Sequence, residues 1–127
     1  MKILDAALIV AIAAIVLIFA FFMMNPAPKP TGDYTAFAKC LTENGAKMYG
    51  SELCTHCEDQ KESFGDSWQY VTYVECHAPM GGQNQACIDA GITAYPTWEF
   101  KDKTRHVGFM EFQELSQASG CPLNATG

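Results

Sequence analysis

Cys54-Thr55-His56-Cys57 sets two thiols three positions apart, where a strand-like run (residues 46–50) gives way to a helix-like one. Two sulfurs at this spacing can close into a disulfide, and a helix N-terminus stabilises the thiolate of the first. Zinc sites use the same spacing, so the pair alone leaves two chemistries open. Further along stands Ala94-Tyr95-Pro96-Thr97-Trp98, with a proline at the mouth of another strand. A zinc site built from Cys54, Cys57, Cys76 and Cys87, with His56 or His77 to spare, would leave that proline unexplained. The second pair also lacks the C-x-x-C spacing. Redox chemistry is the better reading.

Thiol–disulfide exchange needs an attacking thiolate, an accessible sulfur and a second thiol that resolves the mixed disulfide. Cys54, at the helix start, is the expected nucleophile. Cys57, one turn in, is the expected buried resolving thiol. His56 lies between them and is expected to favour the Cys54 thiolate, by charge when protonated or by hydrogen bonding. A lowered thiol pKa stabilises the dithiol form and makes the disulfide a stronger oxidant.

The elements that must hold these residues alternate along the chain. Asp33 is a fitting cap for a helix through Tyr34, Phe37, Ala38 and Leu41 that stops near Asn44-Gly45. A strand over 46–50 leads into the C-x-x-C, and a second helix over 55–64 is ended by Gly65. Residues 71–75, β-branched and aromatic, read as a strand. Residues 77–82, with Pro79 and Gly81-Gly82, read as loop. Residues 83–90 read as a short helix with Gly91 at its end. Strands over 97–100 and 105–109 flank a polar turn, and a last helix over 111–119 stops at Gly120. Trp68, Tyr70 and Trp98 read as packing residues, His77 and His106 as surface or loop histidines.

Ahead of this domain, residues 6–24 carry neither charge nor proline and are rich in Ala, Ile, Val, Leu and Phe. As a helix they would span roughly 28 Å, enough for a hydrocarbon core. The run exceeds the usual core of a cleaved signal, and Phe19-Ala20-Phe21-Phe22-Met23-Met24 lacks a good small-residue cleavage site. An uncleaved anchor over residues 1–24 is therefore expected. Residues 25–32 follow as a proline-rich, extended spacer. The domain then occupies 33–121, with a tail over 122–127 that includes the glycosylation-like Asn124-Ala125-Thr126.

All six cysteines of the 127-residue chain lie beyond residue 39, which points to an oxidising compartment outside the cytoplasm. The net charge of −6 and the lack of a basic stripe argue against nucleic acid as a partner. Neither a phosphate-binding glycine loop nor a Ser/His/Asp nucleophile signature is present, and no cofactor or metal is expected.

With these residues in view, the chain resembles the thioredoxin-like family. It is most similar in pattern to the domain fused to, or encoded beside, bacterial and archaeal relatives of vitamin K epoxide reductase. The resemblance rests on Phe37-Ala38-Lys39-Cys40-Leu41-Thr42, Gly45-Ala46-Lys47-Met48-Tyr49-Gly50 and Cys54-Thr55-His56-Cys57. It continues through Tyr73-Val74-Glu75-Cys76, Ala90-Gly91-Ile92, Tyr95-Pro96-Thr97-Trp98 and Ser119-Gly120-Cys121. It implies an α/β, thioredoxin-like fold, a central mixed sheet flanked by helices, here preceded by one transmembrane helix.

Three positions depart from the pattern. Thr55 stands where the related domains usually have proline, and Leu53 where an aromatic residue usually precedes the first cysteine. Met48 stands where thioredoxin carries a buried acid, so proton handling at Cys57 must differ, or use water or Glu52. The resemblance also implies that Pro96 is cis and packs against the C-x-x-C. Tyr95, with Thr55, would then meet a bound peptide. By count alone six cysteines permit fifteen connectivities. The resemblance implies Cys40–Cys121 and Cys76–Cys87 as structural disulfides, a second redox pair at Cys76–Cys87 being the alternative.

The activity so implied is that of a membrane-anchored, extracytoplasmic thiol–disulfide oxidoreductase. It would donate the Cys54–Cys57 disulfide to protein thiols of secreted or envelope proteins. A quinone-linked membrane partner resembling vitamin K epoxide reductase would reoxidise it. The alternatives are a reductase or isomerase fed by a membrane electron carrier, and a peptide-binding module whose C-x-x-C is structural or holds zinc.

Overall fold

Residues 2–24 and 32–123 are described by the structure, a computed structural model. The apolar segment forms one helix, α1 (Lys2–Met24). Its stretch Asp5–Met24 has a mean hydropathy of 3.1 and buries none of its surface. A helix apolar on every side must find an apolar solvent. Its length and composition suit a membrane span or a signal sequence alike. Of the spacer expected over 25–32, residues 25–31 lie outside the described residues, as do residues 124–127 of the tail.

The rest follows the element order read from the sequence: α2 (Thr35–Glu43), β1 (Lys47–Gly50), α3 (Thr55–Phe64), β2 (Tyr73–Glu75), α4 (Gln85–Asp89), β3 (Thr97–Glu99), β4 (Arg105–Val107) and α5 (Phe112–Ser119). The strands form one mixed sheet in the order β2-β1-β3-β4. β1 runs parallel to β2, while β1–β3 and β3–β4 are antiparallel. Parallel neighbours need a long crossover, and α3 lies in the connection between β1 and β2. This is a thioredoxin-like α/β arrangement.

Several boundaries moved. Residues 71–75 were expected as strand, but only Tyr73–Glu75 pairs, because a 3₁₀ helix (Gly65–Tyr70) follows α3 and Val71 N–H still bonds Trp68 O at 2.9 Å. The expected helix over 83–90 contracts to Gln85–Asp89, since Gln83 forms an antiparallel bridge with His77. Asp33 was expected to cap α2. The cap position belongs to Tyr34, and Asp33 Oδ1 accepts from Thr35 N–H at 3.0 Å from one residue further out. α5 is preceded by Glu111, whose side chain and that of Glu114 close a reciprocal capping box.

The core follows from helix and strand periodicity. Phe37 and Leu41 of α2, Met48 of β1, Phe64 of α3, Trp98 of β3 and Leu115 of α5 are all fully buried. Phe64 sits at the centre of the ring contacts, 4.7 Å from Phe112 and 6.1 Å from Phe37 between centroids. The Cys40–Cys121 disulfide links α2 to the chain just after α5 across 81 positions, whereas Cys76–Cys87 closes only 11. In the chain-entropy account such bonds stabilise by on the order of 3 kcal/mol for a short loop and about 5 kcal/mol for a long one.

Candidate active site

Sheet register brings three chain segments together at one end of the sheet. β1 ends at Gly50, beside Glu75 at the end of parallel β2. Antiparallel pairing sets Thr97 opposite Tyr49, so Tyr95 and Pro96 enter β3 at that same end. The segment from Ser51 to Cys57, the start of the loop after β2 and the Tyr95–Pro96 turn therefore converge. The Tyr95–Pro96 peptide bond is cis.

Between β1 and α3 the chain turns tightly. Ser51 Oγ accepts from Leu53 N–H at 3.2 Å, and Ser51 O accepts from Cys54 N–H at 3.0 Å. Cys54 then becomes the N-cap of α3, in extended conformation, with its Sγ accepting from Cys57 N–H at 3.3 Å. A sulfur that accepts a hydrogen bond at a helix N-terminus sits where negative charge is favoured. Cys54 and Cys57 are free of any disulfide; Cys54 is partly exposed and Cys57 fully buried. Burial pushes the Cys57 thiol up to about 12, and its hydrogen bond with Cys54 adds to the rise. The Ser51 backbone and Lys61 pull the other way.

α3 is anchored by a residue that sequence reasoning missed. Gln60 is fully buried. Its Oε1 accepts from Trp98 Nε1 at 3.2 Å and from Met110 N–H at 2.8 Å, and its Nε2 donates to Met110 O at 3.1 Å. The bonds tie the helix that carries both cysteines to β3 and to the chain before α5. The available signal was a polar residue in the stripe Cys57, Gln60, Phe64 that α3 buries.

The remaining expected site residues are placed as follows. His56 is exposed, and its Nδ1 faces Asp59 Oδ2 at 3.6 Å, an i,i+3 contact on α3. Thr55 is the exposed first residue of α3. Pro96 is fully buried, and its carbonyl accepts from Gly108 N–H at 2.8 Å. Tyr95 is partly buried, and its hydroxyl accepts from Gln83 Nε2 at 2.7 Å. Gln83 Nε2 also donates to Ile92 O at 2.8 Å, so the loop after β2 is braced against the residue that precedes Pro96.

Gly50 shows how closely the buried thiol is surrounded. A methyl group built there would lie 2.9 Å from the Tyr73 ring, 3.2 Å from its hydroxyl and 3.1 Å from Cys57 Sγ. The Tyr73 hydroxyl donates to Glu75 Oε2 at 2.7 Å. Glu75 Oε1 accepts from His77 N–H at 2.7 Å and from Glu52 N–H at 3.3 Å. Glu52, a residue considered for proton handling, thus reaches this network through its backbone. Burial raises the Glu75 pKa, but the bonds from Tyr73, His77 and Glu52 outweigh it and hold the carboxyl below its usual range. Burial, the bond to Glu75 and the Glu75 charge hold the Tyr73 phenol protonated. Lys61 Nζ lies 4.4 Å above the Tyr73 ring and 2.8 Å from Glu58 Oε1.

Cys76 and Cys87 are bonded to each other and fully buried. The four-cysteine zinc set considered above is therefore not assembled. Among the described residues, no three or more His, Cys, Asp and Glu side chains gather as a metal site.

No family model matches the chain. Over 95 residues, covering 70% of this chain, it is 42% identical to "Thiol-disulfide oxidoreductase LTO1" of Arabidopsis thaliana. The chain spans about a quarter of that relative's length, 25%. The match is thus to one part of a protein named for thiol–disulfide exchange.

Proposed function

We propose that this protein is a membrane-anchored thiol–disulfide oxidoreductase that passes its Cys54–Cys57 disulfide to protein thiols outside the cytoplasm. The observation that carries the reading is the contrast at the start of α3: a partly exposed sulfur at the N-cap over a fully buried free thiol one turn in. Substrate thiolate attacks Cys54, Cys57 departs, and a mixed disulfide forms at Cys54. A second substrate thiol releases it, leaving both cysteines reduced. Thr55 and His56, both exposed, and the partly buried Tyr95 are the side chains that a substrate polypeptide meets, while the buried Pro96 shapes the turn that carries Tyr95.

Two disulfides elsewhere in the same chain support an oxidising compartment. In this reading residues 1–24 are the anchor, 25–32 the spacer and 33–121 the catalytic domain. Oxidative folding of secreted or envelope proteins is the process served. A quinone-linked membrane oxidoreductase, resembling vitamin K epoxide reductase, restores the disulfide.

The test is the equilibrium of Cys54–Cys57 with glutathione in the full chain in detergent, read by thiol trapping and mass spectrometry. A potential well above thioredoxin's about −270 mV, toward the about −120 mV of strong oxidants, supports disulfide donation. A value near or below thioredoxin's turns the reading to a reductase. A pair that never cycles removes the redox reading.

A further inference from the structure

The exchange just described moves a proton as well as electrons. Cys57 is protonated as a thiol and unprotonated as a disulfide sulfur, yet it has no contact with solvent. The ionisable groups that act on it are Cys54 and Lys61, of the N-cap and body of α3, and Tyr73 of β2. Glu75 of β2 and Glu58 of α3 act on Tyr73, and Glu52, in the turn between β1 and α3, acts on Glu75. Glu58 pairs with Lys61, and Glu52 enters through its backbone N–H. The Tyr73 hydroxyl is different. It shares with Cys57 Sγ the small space over Gly50, and it is already hydrogen-bonded to a carboxylate that is only partly buried.

We propose that Tyr73 and Glu75 form the proton path between the buried Cys57 sulfur and solvent during exchange at Cys54–Cys57. The proposal rests on the oxidoreductase reading and adds two positioning residues to it. When Cys57 resolves a mixed disulfide, its S–H bond breaks and the proton passes to the Tyr73 oxygen as the Tyr73 proton passes to Glu75 and on to water. The Cys57 sulfur forms the bond to Cys54 Sγ. The bond from Cys54 to the substrate sulfur breaks, and its electron pair leaves with the substrate as a thiolate. Disulfide donation runs the same path backwards, delivering a proton to Cys57 as it departs.

The experiment uses the full chain in detergent, reduced at Cys54 and Cys57, and dithiobis(nitrobenzoate) as the probe. Attack by Cys54 releases one coloured thiolate; resolution by Cys57 releases the second. Tyr73→Phe and Glu75→Gln are compared with the parent between pH 5 and 9. Glu75→Gln retains a carbonyl oxygen for the His77 and Glu52 N–H groups, so it separates proton transfer from loop bracing. The expected result is a second phase slowed about 100-fold or more in both variants. Its rate should climb with pH where the parent's is flatter, with the first phase unchanged.

A second phase identical to the parent's in either variant would overturn the proposal. So would equal slowing of both phases, which marks a general structural loss. Failure of the parent itself to release a second thiolate would instead overturn the oxidoreductase reading on which the path depends.

Discussion

Two helices in this domain begin in the same way and end up with different chemistry. At α3 the Cys54 sulfur accepts from Cys57 N–H at 3.3 Å; at α4 Asn84 Oδ1 accepts from Cys87 N–H at 3.1 Å. Both caps are extended residues bonded to a cysteine three positions on. In α3 the cap is itself a thiol, so two free sulfurs meet at a helix N-terminus. In α4 the cap is an amide, which also donates through Nδ2 to Glu75 O, and Cys87 is spent on Cys76. Local helix-start geometry is therefore common to both sites. On the proposed reading, what separates the exchange site from the structural one is the chemistry of the cap and whether the third-position thiol has another partner.

The sharpest way to break this comparison is Cys54→Asn, which gives α3 the cap that α4 has. Exchange with dithiobis(nitrobenzoate) through the pair should fall by about a thousandfold or more, as expected when a nucleophile is removed. Thermal stability should stay within about 1 kcal/mol, because asparagine is a good N-cap. A large destabilisation would mean that the sulfur matters to folding beyond its cap bond. The reverse transplant, Asn84→Cys in the Cys54→Asn chain, sets a C-x-x-C at the start of α4. Exchange should not return, because Cys87 is buried and bonded to Cys76; peptide mapping of the trapped chain checks that this disulfide persists. Restored exchange would show that the motif suffices without its surroundings.

Gly50→Ala probes the space around Cys57. Its methyl would fall 2.9 Å from the Tyr73 ring and 3.1 Å from Cys57 Sγ. The expected cost is about 1–3 kcal/mol in denaturant unfolding, typical of overpacking. The equivalent intrusion at Gly91, near α4, meets no neighbour within 4 Å, although its φ of +68° disfavours a side chain for a separate reason.

A last effect is one of pH, spread gradually over several units. The folded-state pKa of Cys57 rises from 9.0 to about 12. Between those values the unfolded chain has lost a proton that the folded chain keeps, so stability of the reduced protein must fall as pH rises. The slope cannot exceed about 1.4 kcal/mol per pH unit for one proton. The oxidised protein has no thiol at position 57. The reduced-minus-oxidised difference in unfolding free energy should therefore decline above pH 9 and stay flat below it. A difference independent of pH would mean that Cys57 is not held as a thiol.

Legibility from sequence tracked the range of the interaction. Element order could be read because each element announces itself locally: β-branched and aromatic residues at 71–75, glycines at 65 and 120, and apolar residues three and four apart in α2. Errors fell at ends, where tertiary pairing overrides local preference. Val71 has strand chemistry but completes the 3₁₀ helix through its bond to Trp68, and Gln83 has helix chemistry but bridges His77. Asn84 carries a local signal, a capping residue ahead of Ala86-Cys87-Ile88, that places the helix start at Gln85 rather than at 83.

What the sequence by itself determined is the inventory: a thiol pair at a helix start, a proline leading a later strand, four further cysteines, and an apolar segment long enough to cross a membrane. Such features are written in residue type and short spacing. Only the tertiary structure decided which sulfurs meet, since nothing local to Cys40 names Cys121 and counting left fifteen pairings. The setting of the buried thiol was likewise decided in three dimensions. Parallel pairing lays Tyr73 beside Met48 and Glu75 beside Gly50, so Tyr73, far from Cys57 along the chain, comes to share the space over Gly50 with its sulfur. Gln60 looks like a surface residue until the sheet packs against α3. Burial and register are properties of the closed chain, and they set the environment in which the motif acts.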